Sequence, residues 1–205
     1  MSDPIIVYGS GPAGSALVLA LLGAGIPASR LAWLVEDGPV QARRAAQEAR
    51  YVALHAGSRR LLEQLGVWPN IETSAFAMRS IRITDTALDE PIRPDLLGFE
   101  PSDAGEPLAH LIPLDRLAAS LAEGCAKAGL APRPVVLGTI ENERDHVRVG
   151  LRQRDGGLER LRAALIVAAD GARSRLRMHA GIPVHGWAYD QTAIVGTIRH
   201  SLDHE

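Results

Sequence analysis

The spacing of apolar and polar residues changes several times along this chain, and each change marks an element. Pro4-Ile5-Ile6-Val7-Tyr8 is a short apolar run, suited to a strand buried on both faces of a parallel sheet. Gly9-Ser10-Gly11-Pro12-Ala13-Gly14 follows without a spacer. Ala13 to Leu22 then reads as a buried helix, with Gly23 and Gly25 as exit signals. Leu31-Ala32-Trp33-Leu34-Val35 predicts a second buried strand, closing on Glu36-Asp37-Gly38. Strand, glycine turn, helix, strand and acid together make a βαβ unit.

The middle of the chain is less regular. Gln41 to Arg50 is polar and predicts a loop or short helix. Ser58 to Leu65 predicts a helix with Leu61, Leu62 and Leu65 inward, stopped by Gly66 and Pro69. Arg79 to Thr84 alternates charged and apolar residues, as a strand does, and Thr86 to Pro107 reads as an irregular excursion. Leu114 to Ala128 is amphipathic, with Leu114, Leu117, Ala118, Leu121, Ala122 and Cys125 on one face and Gly129 to end it. After Pro134 the period becomes two. Val135-Val136-Leu137, Val147 with Val149, and Leu158 to Leu161 predict a small meander, turning at Glu141–Asp145 and at Asp155-Gly156-Gly157. Ala163 to Ala169 predicts another buried strand, ending on Asp170-Gly171, and a short helix follows from Ala172 to His179. Gly186 to Arg199 alternates again, as a long half-exposed strand.

Composition narrows the field. The 205 residues suffice for one domain, or one and part of a second, and can bury roughly 70% of the surface that the unfolded chain exposes. A net charge of −2 argues against a nucleic-acid binder that relies on a global positive field. The single cysteine, Cys125, excludes a disulfide framework and a multi-thiolate zinc site, and on its apolar helix face it reads as a small core residue. His200 and His204 are spaced i, i+4 but have no third ligand nearby, so no metal is expected. The longest apolar segment, Ala13 to Ile26, is interrupted by Gly14, Ser15, Gly23 and Gly25 and falls short of a membrane span. Asp3 follows Met1-Ser2 with no basic leader, so the expected address is the cytoplasm. Lys127 is the sole lysine, which makes any one arginine a weaker signal; Arg173 and Arg177 read either as phosphate contacts or as a solvated helix side, and Arg175 as solvated.

The glycine turn works through its backbone. Gly9 permits the tight exit from the strand, Gly11 lets the main chain approach a pyrophosphate, and Gly14 lets the helix pack on the sheet. Pro12 and Ala13 open the helix whose free N–H groups and dipole face the phosphates. Glu36, at the end of the next strand, would accept hydrogen bonds from a ribose hydroxyl, with Asp37 the substitute if the register differs by one. Glycine turn and acid alone do not separate NAD from FAD. The interruption of the βα alternation by an irregular stretch, a lone helix and a meander favours a flavoprotein.

Four further segments, in order, carry a resemblance. Arg50-Tyr51-Val52-Ala53-Leu54 with Ser58, Leu61-Leu62 and Leu65-Gly66-Val67-Trp68 resembles a stretch of the ubiquinone-biosynthesis flavin hydroxylases, and Pro113-Leu114-Asp115-Arg116-Leu117 resembles a helix start in the same family. Ile166 to Arg177, containing Asp170-Gly171, is similar to the D-G motif of aromatic hydroxylases, and Trp187-Ala188-Tyr189-Asp190-Gln191-Thr192-Ala193-Ile194-Val195 to the strand that follows it. Asp115 stands where the family has asparagine, and Val18 where a small residue is common. The later G-D motif of the family does not occur after Gly171, so the likeness is to the front half of such a protein.

The resemblance implies an α/β fold: a FAD-binding Rossmann-like domain of the para-hydroxybenzoate-hydroxylase type, from residues 1–74 and 108–183. An incomplete β-rich substrate domain would come from residues 75–107 and 184–205. It implies FAD as cofactor and NAD(P)H as reductant, with O2 and a small aromatic substrate, a phenol such as a polyprenylated ubiquinone precursor. Arg50 would lie near the flavin and phosphates, and Arg116 would contact FAD from its helix start. Asp170 and Gly171 would help hold the pyrophosphate region; read from the residues alone, they equally suit a turn and a helix cap. Tyr189 and Gln191, on one face of a strand with Trp187, would face either the substrate cavity or a domain interface. No side chain is implicated as a nucleophile or base, because the flavin carries the chemistry. Peripheral contact with the inner face of a membrane and partnership with the remaining half of the protein are further implications. The alternatives are a flavin enzyme of the same fold with another reaction, and a FAD-binding half inactive alone.

Overall fold

The structure is a computed structural model that describes residues 3–37, 50–87, 89–101, 105–153, 156–192, 194 and 201. Residues 41–49 of the polar stretch, His200, His204 and most of residues 193–200 lie outside the described residues.

Strand β1 (Ile5–Tyr8) runs into helix α1 (Pro12–Gly23), and a short 3-10 turn leads to β2 (Leu31–Glu36). β1 and β2 pair in parallel, as the predicted βαβ unit requires. Strand β3 (Tyr51–Leu54) precedes helix α2 (Ala56–Gln64), and then come β4 (Phe76–Met78), β5 (Ile81–Ile83), β6 (Leu97–Phe99) and β7 (Ala109–Pro113). Helix α3 (Leu114–Lys127) leads to the meander β8 (Arg133–Asn142), β9 (Val147–Arg152) and β10 (Leu158–Ala163). Strand β11 (Leu165–Ala168) and the short helix α4 (Arg175–His179) follow.

The main sheet has six strands in the order β10-β9-β8-β2-β1-β11, parallel from β8 to β11 and antiparallel across the meander. The chain leaves β1 for β2 on one side and later returns to β11 on the other. That reversal puts a topological switch point between β1 and β11, where open α/β sheets bind ligands. A small sheet, β3-β7-β4, and a hairpin, β5-β6, complete the structure.

Alternation along the strands divides the core into two faces. Val7, Trp33 and Val35 pack with Val18, Leu62, Trp68, Ile112, Leu117 and Leu121 on the side of α1, α2 and α3. Ile6, Tyr8 and Leu34 pack with Val135, Leu137, Val149 and Leu176 beneath the meander and α4.

Five expectations change. Residues 97–99 form a strand inside the stretch that reads as irregular, because β5 offers them a hydrogen-bonding edge. Leu61 is exposed, and on α3 Ser120 is buried in place of Ala122, because helix faces are set by where the neighbours lie. β11 is apolar but lies at the sheet edge, with Leu165 half exposed, since among the described residues only β1 pairs with it. Residues 186–192 form no strand; Trp187 and Tyr189 are exposed, and no strand pairs with them among the described residues.

Two measurements test this packing. Leu121→Ala, at a site with 0% exposure, should cost about 3 kcal/mol in denaturant unfolding, and Leu61→Ala less than about 1 kcal/mol. His110 stacks edge-on against Trp68 at 5.1 Å, and burial, then the Arg59 charge, hold its pKa below the usual histidine value. The unfolded chain therefore binds this proton more readily, so stability should fall as the pH drops below about 6.5, a loss that His110→Gln should reduce.

Candidate functional site

The glycine turn lies at the switch point, and its three glycines do different work. Gly9 has φ +140°, and a Cβ there would stand 2.1 Å from the carbonyl oxygen of Ala169, just beyond β11. A Cβ on Gly14 would stand 2.5 Å from the Gly9 oxygen. These two glycines bring the start of α1, the turn and the end of β11 into van der Waals contact. The Gly9 carbonyl, buried by that contact, accepts a hydrogen bond from Trp33 Nε1 at 2.9 Å. Around Gly11, by contrast, an added Cβ would meet nothing within 4 Å among the described residues. Pro12 takes the first helical position, where its missing N–H is not needed. Ala13 is exposed beside it. Open space over Gly11, at a helix start whose first-turn N–H groups have no intrahelical acceptor, suits a pyrophosphate.

Glu36 ends β2 on the same face as Tyr8 and Leu34. Its Oε2 accepts from the Tyr8 hydroxyl and its Oε1 from Arg175 Nη1 at 2.8 Å. Burial, and then this hydrogen bond, push the Tyr8 phenol well above the usual tyrosine range. Asp37 continues the β2–β8 ladder, its N–H donating to the Val135 carbonyl at 2.9 Å.

Asp170 lies one residue beyond the Ala169 contact. Its Oδ1 accepts from Ser174 Oγ at 2.5 Å, and its Oδ2 from the backbone N–H of Arg175 at 2.7 Å. Ser174 Oγ in turn accepts from the Arg177 N–H at 2.9 Å. The carboxylate therefore caps the start of α4, while Gly171, at φ +87°, makes the turn. Of the two roles the residues suggested, turn and cap is the one the geometry displays. Arg175 is exposed, as its solvated reading expects, and it also crosses from α4 to Glu36, a pairing the sequence did not reveal. A side chain's partner 139 positions away in sequence leaves no local pattern.

Arg50 and the start of α3, which carries Arg116, meet at a second corner. The Arg50 carbonyl accepts from the Leu114 N–H at 2.7 Å, where β3 runs beside β7, and Arg116 stands two residues into α3 with its side chain exposed. Tyr189 and Gln191 lie on the exposed segment after α4; Tyr189 touches Trp187 edge-on, with centroids 6.1 Å apart. Cys125 is buried, donates to the Ser15 carbonyl at 3.4 Å, and has its thiol pushed up to about 11 by burial. No three His, Cys, Asp or Glu side chains converge among the described residues, and no helix of these residues is long and apolar enough to cross a membrane.

A sheet whose four parallel strands β8-β2-β1-β11 reverse their winding at β1, with a glycine turn at that switch point and an acid ending the next strand, defines a Rossmann-like dinucleotide-binding fold. A sequence profile described as FAD binding domain matches residues 2–204, and the chain belongs to that family. Its fold is the α/β, FAD-binding type of para-hydroxybenzoate hydroxylase. The chain is 29% identical over 204 residues to ubiquinone hydroxylase UbiL of Rhodospirillum rubrum, covering 98% of this chain and 44% of that protein. It is 27% identical to 3-demethoxyubiquinol 3-hydroxylase of Escherichia coli, covering 97% of this chain and 49% of that one. The chain thus spans about half the length of the curated relatives it matches. Among solved structures, p-nitrophenol 4-monooxygenase PnpA from Pseudomonas putida superposes with a TM-score of 0.67 at 20% identity, covering 88% of this chain and 44% of that one. The flavin-dependent monooxygenase PieE, solved with FAD and substrate, superposes with a TM-score of 0.65 at 22% identity, covering 88% of this chain and 32% of that one.

The three glycines can be separated by mutation. Gly9→Ala and Gly14→Ala should each cost about 3 kcal/mol in thermal or denaturant unfolding, since backbone must move to admit the methyl group. Gly11→Ala should cost less than about 1 kcal/mol, because its methyl group has room and its backbone is ordinary.

Proposed function

We propose that the chain is the FAD-binding part of a monooxygenase that hydroxylates an aromatic ring with NAD(P)H and O2. The favoured substrate is a phenol of the polyprenylated ubiquinone-precursor class. The observation that carries this reading is the convergence at the switch point. Open space over Gly11, the Glu36 carboxylate and the Asp170-Gly171 turn adjoin one another there, in a chain that matches ubiquinone hydroxylases along nearly its whole length.

In this reading FAD supplies the redox chemistry, accepting electrons from the nicotinamide and activating O2 for transfer to the ring. The chain binds and orients it. Gly11, Pro12, Ala13 and Gly14 present the helix start to the pyrophosphate, and Glu36 accepts from the adenosine ribose, with Asp37 beside it. Asp170 and Gly171 set the turn that closes the pyrophosphate region, and Arg50 and Arg116 contribute positive charge toward the flavin and phosphates. Tyr189 and Gln191 belong to the substrate side. The FAD-binding domain comprises residues 1–74 and 108–183, and residues 75–107 and 184–205 belong to the substrate domain. The remaining half of the protein would be its partner, and the site of action the cytoplasm, at the inner face of the membrane.

A second reading, a FAD-binding half that does not turn over alone, is favoured by the exposed apolar edge and hairpin. Leu165, Ile81, Ile83, Leu97 and Phe99 all face solvent. The two readings separate in one preparation. The purified chain with added FAD should show flavin absorption bands and quenched flavin fluorescence, and Gly11→Ala should weaken binding about tenfold. NAD(P)H oxidation stimulated by a phenol would support the hydroxylase; flavin binding without it would support the half-protein. No flavin bands at all would overturn both.

A further inference from the structure

Both carboxylate oxygens of Glu36 are engaged by its own chain. Tyr8, on the adjacent strand β1, donates its hydroxyl to Oε2, and Arg175 donates to Oε1 at 2.8 Å. Tyr8 is 1% exposed, so its hydroxyl is largely shielded from water. Its ring packs among Ile6, Leu34 and Val135, where phenylalanine would serve equally well for packing alone. A buried hydroxyl needs a partner, and this one has Glu36.

Arg175 is anchored too. Its backbone N–H donates to Asp170 Oδ2 at 2.7 Å, and its Nη2 reaches the Leu137 carbonyl at 3.5 Å. The ends of β1 and β2 and the turn after β11 are thus tied through one carboxylate. An untethered glutamate at a strand end would have to give up rotamer freedom when a ligand arrived, and here the fold restricts it beforehand. A carboxylate has about four lone-pair sites, so two remain for hydroxyl donors.

We propose that Tyr8 and Arg175 are positioning residues that hold the Glu36 carboxylate ready for the ribose hydroxyls of the adenosine of FAD. The inference rests on the reading of Glu36 as the ribose acid, and extends it to residues on two other elements.

The test uses the full chain, unaltered and as Tyr8→Phe, Arg175→Gln, Arg175→Lys and Glu36→Gln. Without cofactor, the Tyr8 ring-carbon NMR shifts at neutral pH should change on Glu36→Gln, and shifts indifferent to that substitution would overturn the contact and the proposal. With cofactor, FAD is compared with an analogue lacking both hydroxyls of the adenosine ribose, by flavin fluorescence. Tyr8→Phe and Arg175→Gln should each weaken FAD about tenfold and the analogue less than about threefold, with Arg175→Lys retaining most of the affinity. Equal losses for both ligands would mean that the residues only stabilise the fold, and would overturn the proposal. If Glu36→Gln weakens FAD while Tyr8→Phe and Arg175→Gln do not, the positioning role alone fails. If Glu36→Gln leaves FAD affinity unchanged, or the unaltered chain binds no FAD, the ribose reading fails and takes the proposal with it.

Discussion

The close approach of the Gly9 backbone to Ala169 is the constraint on which the rest of the molecule depends. It joins the first strand of the sheet to the last, across the point where the winding reverses. With any side chain at Gly9, the carbonyl of Ala169 would have to retreat, and the Asp170-Gly171 turn behind it would move as well. Gly14 repeats the argument one helical turn later, against the Gly9 oxygen. That oxygen is buried by the same contact and finds its donor in Trp33, so a polar group that crowding would have stranded is satisfied by a side chain from the next strand. Gly11, between them, is crowded by none of the described residues. In one short turn two glycines serve the fold and one leaves room for a ligand.

Polar groups around this contact are mostly matched within the chain. Asp170 spends its oxygens on the start of α4, and by holding Arg175 there it sets the origin from which that side chain reaches Glu36. Tyr8 supports the same carboxylate from the buried face of the sheet. The Asp170-Gly171 turn and the strand-end acid, which look unrelated in sequence, are consecutive links of one network. The polar groups around the glycine turn and the end of β2 are therefore held by bonds within the chain.

How much of this was legible depended on the range of the interactions. β1, α1 and β2 emerge from the residue pattern because apolar runs, glycines and a terminal acid are local signals. The meander and α3 emerge for the same reason. β6 was hidden because three residues in a proline-rich stretch become a strand only when β5 lies beside them. The segment 186–192 shows the converse, since its alternation finds no pairing strand among the described residues. Arg175 was hidden among many arginines, and its importance lies in a partner on another element.

By itself, the sequence determined the βαβ unit, the glycine turn, the acid that follows it and the family to which the chain belongs. Those depend on backbone freedom and on the period of burial, both written in neighbouring residues. Only the tertiary structure decided which glycine is crowded and which is open, that Asp170 caps a helix, and that Tyr8 and Arg175 converge on Glu36. Those outcomes depend on which strand ends the sheet brings together, and hydrogen bonds of short reach form only after distant segments have been placed side by side.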